Sequence, residues 1–154
     1  MRILAVDYGE RRIGLAVSDE LGIAAHGLPT VEVTSPRNAA NAVAKVAVEQ
    51  GAGLIVVGLP RNMDGSLGPR AQATLEFCEL CRHRLRVPVE TFDERLTTAR
   101  ARKALHEIGL DARRQRAHTD RIAAVMILQD YLVTTAPATA SPGRAEDEGS
   151  HETA

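Results

Sequence analysis

Ile3-Leu4-Ala5-Val6-Asp7-Tyr8-Gly9-Glu10-Arg11-Arg12-Ile13-Gly14 opens the chain with four consecutive apolar residues that run into a carboxylate. The apolar run reads as a buried central strand, and Asp7 stands where that strand leaves the core. A charge at such a place is costly to desolvate unless a cation or hydrogen-bond donors meet it. An Asp that only bonds its own turn is the alternative. Gly9 allows a turn or the close approach of a ligand. Ile13–Ser18 follows so closely that an antiparallel hairpin is the economical connection, and a third strand over 27–33 completes a meander.

Outward from this hairpin, helices and strands alternate. Ser35-Pro36 reads as an N-cap with Pro in the first helical position, and the helix runs to Gly51 with Ala39, Ala42, Val43, Val46 and Ala47 at helical spacing. Leu54-Ile55-Val56-Val57-Gly58 is apolar throughout, as in a strand covered on both faces. The loop Leu59–Gly68 is long enough to be functional or mobile. A helix from Pro69 to about Leu85 places Ala71, Leu75, Cys78 and Leu85 on one face, so Cys78 and Cys81 read as small buried hydrophobes. A strand over 87–92 delivers Asp93 and Glu94. A further helix is expected from Thr98, with Ala101, Ala104, Leu105 and Ile108 inward and Gly109 past its end. The basic connector Ala112–Arg116 then leads to a last helix over 119–133, apolar nearly all round and opened by Asp120. This order predicts an α/β fold, one mixed sheet of about five strands flanked by helices.

The chain has 154 residues, 44% of them hydrophobic and 25% charged, as in a globular protein that keeps to water. No apolar run approaches the roughly 20 residues of a membrane span, and the first residues lack a signal-peptide layout, so the expected compartment is the cytoplasm. From Thr134 onward Ala, Thr, Pro, Ser and Gly dominate, with a net charge of −3. Residues 1–133 are expected to form the domain, at +2, and 134–154 a disordered acidic tail. Eight basic residues lie between Arg95 and Arg121 against three acids. Such a surplus covers a solvated helix or meets a polyanion.

Asp7, the Asp93-Glu94 pair and Asp120 are three acidic positions at strand ends and a helix start, in a basic surround. Hard oxygen ligands of this kind suit Mg²⁺ or Mn²⁺, and two such ions serve phosphodiester hydrolysis. The other reading of Asp120 is a helix-start acid that favours the dipole. The five histidines form no zinc-type helical pair, and no serine sits on a nucleophile elbow.

The segments DYGERRIG (7–14), GLPRNMDGS (58–66), FDERLTT (92–98) and DRIAAVMILQDYL (120–132) resemble, in order, those of the YqgF/RuvX family. That family is described as pre-16S ribosomal RNA nucleases and earlier as Holliday junction resolvases. The resemblance implies a ribonuclease H-like fold and a nuclease that hydrolyses phosphodiester bonds of structured nucleic acid. It implies Asp7, Glu94 and Asp120 as catalytic metal ligands, with Asp93 as an additional ligand or a capping group. Mg²⁺ or Mn²⁺ is the expected cofactor, with two ions when substrate is bound. Arg11, Arg12, Arg61, Arg70, Arg95 and Arg116 are the candidate nucleic-acid contacts. Arg116-Ala117-His118-Thr119 departs from the Lys/Val pair expected before Asp120, and leaves the positive character to Arg116 or His118. The substrate is precursor 16S rRNA or, as the alternative, a four-way DNA junction, cut by a monomer or a homodimer respectively. Two Phe, two Tyr and no Trp leave few surfaces for stacking bases, so recognition is expected to rest on shape and charge. An actin-like phosphotransferase would share the Asp-x-Gly hairpin but needs a second domain. A non-catalytic nucleic-acid binder would leave the acids unexplained.

Overall fold

The computed structural model describes residues 1–96 and 112–135, with side chains through Arg95 and again from Arg121. Strands β1 (Arg2–Tyr8), β2 (Arg12–Ser18) and β3 (Ala25–Glu32) form the expected antiparallel meander. Helix α1 (Pro36–Gln50) then carries the chain to β4 (Ala52–Leu59), which pairs in parallel with β1. Helix α2 (Pro69–Arg84) leads to β5 (Val89–Asp93), parallel to β4, and a 3-10 turn follows at Glu94–Leu96. The last helix, α3, spans Ala112–Thr135. The sheet order is β3-β2-β1-β4-β5, a five-stranded mixed sheet.

Local chemistry sets the joints. Ser35 Oγ accepts from Asn38 N at 3.0 Å, and Asn38 Oδ1 accepts from Thr34 N at 3.0 Å, a reciprocal cap at the start of α1. Gly51 ends that helix at φ 66°, a conformation glycine adopts without a Cβ penalty. Pro29, which cannot donate a ladder hydrogen bond, lies in the edge strand β3.

Alternation along the strands sorts side chains onto two faces. Leu4, Val6, Leu15, Val17, Ile55, Val57 and Val89 meet α1 and α2 through Val43, Phe77, Cys78 and Cys81. Ile3, Ala5, Ala16, Leu54, Val56 and Phe92 meet α3 through Ala123, Ala124, Ile127 and Leu128. The run Leu54–Val57 thus feeds both cores, as its lack of alternation suggests. Cys78 and Cys81 are buried as expected, but the buried face of α2 also takes in Thr74 and Phe77, while Leu75 is only half-buried.

Two expectations for the last helix are corrected. Ala112–Arg116 is helix rather than connector, so Asp120 lies in the third turn of α3 and not at its start. Arg113, Arg114, Gln115, Arg116 and Ala117 are all good helix formers with no breaker among them, and their charge does not interrupt the helix. The helix is also one-sided, since Arg121, Gln129 and Val133 are exposed while the Ala123/Ala124/Ile127/Leu128 face is buried. It continues through Thr134 and Thr135; the rest of the expected tail, and the helix expected from Thr98, lie outside the described residues. Among the described residues, no helix is long and apolar enough to cross a membrane.

Burial pushes the Cys78 thiol up to about 11 and the Cys81 thiol to about 12. Thiolate, not thiol, is the nucleophile, so both cysteines are expected to resist a disulfide reagent at pH 8 in the folded protein and to react fully in urea. Rapid labelling of either one in the native state would contradict the packing.

Candidate active site

Asp7 shares its face with Ile3 and Ala5, so the alternation of β1 directs it to the α3 side of the sheet. Its cross-strand neighbour on β2 is Gly14. On the other side the β1–β4 ladder runs to Val6 opposite Val57, which leaves Gly58 beside Asp7 where the strands end. The acid is therefore flanked by two positions without side chains.

Glu94 occupies the space over one of them. A Cβ at Gly58 would stand 2.6 Å from Glu94 Oε2, 3.1 Å from Glu94 Cγ and 2.6 Å from Ile127 Cδ1. The strand β5 ends with Asp93 opposite Leu59, and Glu94 opens the 3-10 turn that folds its side chain back onto the sheet. The two carboxylates are buried, Asp7 at 4% and Glu94 at 8% exposure. Asp120 precedes Ala123 and Ala124 by one turn and Ile127 by two, the spacing of a single helix face. Its side chain, like that of Arg116, lies outside those described.

Asp93 has a different environment. Its carboxylate accepts from Arg95 Nη2 at 2.7 Å, from Arg95 Nε at 3.0 Å and from the Arg95 backbone N–H at 2.9 Å. Arg61 Nε lies 3.9 Å away. The same arginines hold the loop after β4: Arg61 Nη1 donates to Gly65 O at 2.7 Å, and Arg95 Nη1 reaches Met63 O at 3.4 Å and packs against Gly65, which has φ 89°. Within the loop, Asn62 N donates to Ser66 O at 3.0 Å, and Asp64 Oδ1 accepts from Ser66 N at 2.9 Å. Leu59–Gly68 is thus cross-braced, and Arg61 and Arg95 take part in the bracing.

Arg11, Arg12 and Arg70 do converge. With Asp7, Tyr8 and Gly9 they line a cavity of about 480 Å³ between the β1–β2 turn and the first turn of α2. Gly9 permits this turn, since a Cβ there would stand 2.7 Å from Arg12 O. Gly14 and Gly58 were present in the family-like segments, but sequence reading gave them no part in the site. Their signal was a missing side chain next to, or across from, an acidic strand end.

A family model described as "RuvX: Holliday junction resolvase" matches residues 1–134. The chain belongs to the RuvX family. A relative from Clostridium novyi named "Putative pre-16S rRNA nuclease" is 42% identical over 132 residues, 86% of this chain and 98% of its own. One of the same name from Pelotomaculum thermopropionicum is 44% identical over 133 residues, 86% of each chain. In three dimensions, RuvC of Thermus thermophilus in complex with a Holliday junction substrate superimposes with a TM-score of 0.55 at 17% identity, covering 87% of this chain and 96% of RuvC. The fowlpox virus Holliday junction resolvase gives 0.52 at 15%, covering 87% and 99%. The fold is thus that of the ribonuclease H-like resolvases. Membership of the RuvX family makes the protein a nuclease, a hydrolase of phosphodiester bonds.

Two outcomes follow from this geometry. Gly58→Ala should overpack against Glu94 and Ile127, cost about 1–3 kcal/mol in chemical denaturation and lower nuclease activity; a variant as stable and active as wild type would refute the close contact. Asp93 is held below the usual carboxylate range, first by the Arg95 side-chain hydrogen bonds and then by the Arg95 backbone N–H and the charges of Arg95 and Arg61. A depressed folded pKa contributes stability above the unfolded value, about pH 4, and loses it as pH falls through the folded one. Asp93→Asn should therefore speed hydrogen exchange at Asn62, Gly65 and Ser66 about two- to five-fold at neutral pH, whereas wild type loosens only below about pH 4.

Proposed function

We propose that this RuvX-family nuclease is a divalent-metal-dependent endonuclease of structured nucleic acid, with the 5′ end of precursor 16S rRNA as its substrate, acting in the cytoplasm. The observation that carries the metal assignment is the carboxylate of Glu94 lying over Gly58, on the face and at the strand ends that present Asp7. Two buried carboxylates brought together repel each other, and a cation between them relieves the repulsion. Their donor set, hard oxygen throughout, fits Mg²⁺ or Mn²⁺ and not a soft metal. Asp7, Glu94 and Asp120 would hold the metal, as two ions when substrate is bound. The bound ions supply Lewis acidity and a water of lowered pKa.

The remaining work falls to the chain. Asp7 and Glu94, packed against β-sheet and α3, present their oxygens from rigid elements, which keeps the geometry of attack fixed. Arg11, Arg12 and Arg70 take the phosphates that flank the cut, and Arg116 is a further candidate contact. Asp93 braces the loop through Arg61 and Arg95 in place of binding metal. The curated relatives' name favours ribosomal precursor RNA. The family's description favours a four-way DNA junction, which a homodimer would have to cut symmetrically, whereas a monomer suffices for RNA.

The test is cleavage of precursor 16S rRNA and a synthetic four-way junction in parallel, with Mg²⁺, Mn²⁺ or EDTA, beside the molar mass in solution. Processing of the RNA in both metals and none in EDTA is expected; full activity in EDTA would overturn the metal reading, and cutting of the junction alone the substrate. Asp7→Asn, Glu94→Gln and Asp120→Asn should each lower turnover about 10²- to 10³-fold or more while Asp93→Asn retains activity. The metal-free variants should melt slightly above wild type, and Mg²⁺ should stabilise wild type more than any of them.

A further inference from the structure

Tyr8 follows Asp7 directly and points to the opposite face of β1, toward α2. Phe77, fully buried, covers one face of its ring at a centroid distance of 4.2 Å and an interplanar angle of 13°. The ring lines the cavity that holds Arg11, Arg12 and Arg70, and also a second cavity of about 520 Å³ bounded by Pro36, Arg37 and Leu80. The two cavities meet at Tyr8 and Ala73, so one groove leads from Asp7 past the tyrosine to the start of α1. Arginines stand at both ends, Arg70 with the β1–β2 turn at one and Arg37 at the other, against Glu10 and Glu76 along the walls.

We infer that this groove receives one unpaired strand of the substrate, with a nucleobase stacked on Tyr8 next to the phosphate to be cut. The inference rests on the nuclease reading of Asp7 and deepens it: the substrate class is a polynucleotide with at least one unstacked nucleotide adjoining the scissile bond. A ring braced from behind by Phe77 keeps its position without a partner, and an aromatic face accepts any base. Positive groups at two ends of a groove with an aromatic between them suit a backbone that passes while its base turns inward. A continuous duplex keeps its bases paired and has none to offer to such a ring. Tyr8 is therefore a positioning residue that favours cutting beside single-stranded segments.

Binding separates this from catalysis. Decanucleotides of RNA and of DNA with a central 2-aminopurine, and a blunt duplex of the same sequence, are titrated in EDTA, where cleavage plays no part. Wild type and Tyr8→Phe are expected to quench the 2-aminopurine emission and bind the single strand alike. Tyr8→Leu, which keeps bulk and loses the π face, should bind it about ten-fold more weakly with the quenching gone, and leave duplex binding unchanged. Equal single-strand affinity of Tyr8→Leu and wild type, or an equal loss on the duplex, would overturn the inference. If Tyr8→Leu melts early, Ala73→Leu fills the junction of the cavities while leaving the stack intact. It should give the same selective loss, and undiminished single-strand binding by it would count against the groove. A protein that binds in this pattern yet cuts nothing with Mg²⁺ would refute the nuclease reading alone.

Discussion

Glu94 reaches the sheet face that presents Asp7 because position 58 has no side chain. Any Cβ there would fall 2.6 Å from the carboxylate oxygen and from Ile127 Cδ1, so one glycine accommodates both the acid and the helix that covers it. The register around it follows from that need: β4 lies between β1 and β5, and Gly58 is opposite Phe92, two residues before Glu94. The small residues Ala5, Ala16, Ala123 and Ala124 then let α3 lie close enough for Ile127 to touch the same glycine. Site and core are one packing problem on this face, and burial of the acids is a product of how closely the helix approaches.

The neighbouring acids at the end of β5 have been given different surroundings by one step in the chain. Asp93 meets Arg95 and Arg61 and, through them, the carbonyls of the loop after β4. An exposed ion pair alone contributes at most about 1 kcal/mol, but here it is joined to backbone hydrogen bonds that tie a ten-residue loop to the strand end. Glu94, turned to the other face, lies over Gly58 on the side that α3 covers. The end of the strand and the 3-10 turn that follows it send the two side chains to different surroundings.

The parts of the fold legible in the sequence were those carried by local chemistry. Ser35 and Pro36 mark a cap, Leu54–Val57 marks a strand covered twice, and Asp7 marks a strand end, each within a few residues. The failures were of two kinds. Ala112–Arg116 was read as connector from its charge although its residues favour helix, so Asp120 was placed at a helix start instead of in the third turn. The bracing of the loop by Arg61 was not legible, because its partner Asp93 lies over thirty residues away and no spacing rule relates the two. Alternation showed that Asp93 and Glu94 face opposite ways; which one joins Asp7 is set by the β4–β5 register, a non-local fact. The Tyr8–Phe77 stack was hidden for the same reason, and with it the means by which so few aromatics serve a groove.

The parallel pairing of β1 with β4 bears on how the molecule comes into being. Asp7 and Glu94 come from opposite ends of residues 1–96, and the glycine between them belongs to a strand that must first insert in the middle of the sheet. Contacts so distant along the chain form late, after loop-closure entropy has been overcome. A partly melted molecule therefore keeps Asp7 and Glu94 without holding them on one face of the sheet. Hydrolytic power therefore arrives together with the finished sheet, and half-folded copies lack it.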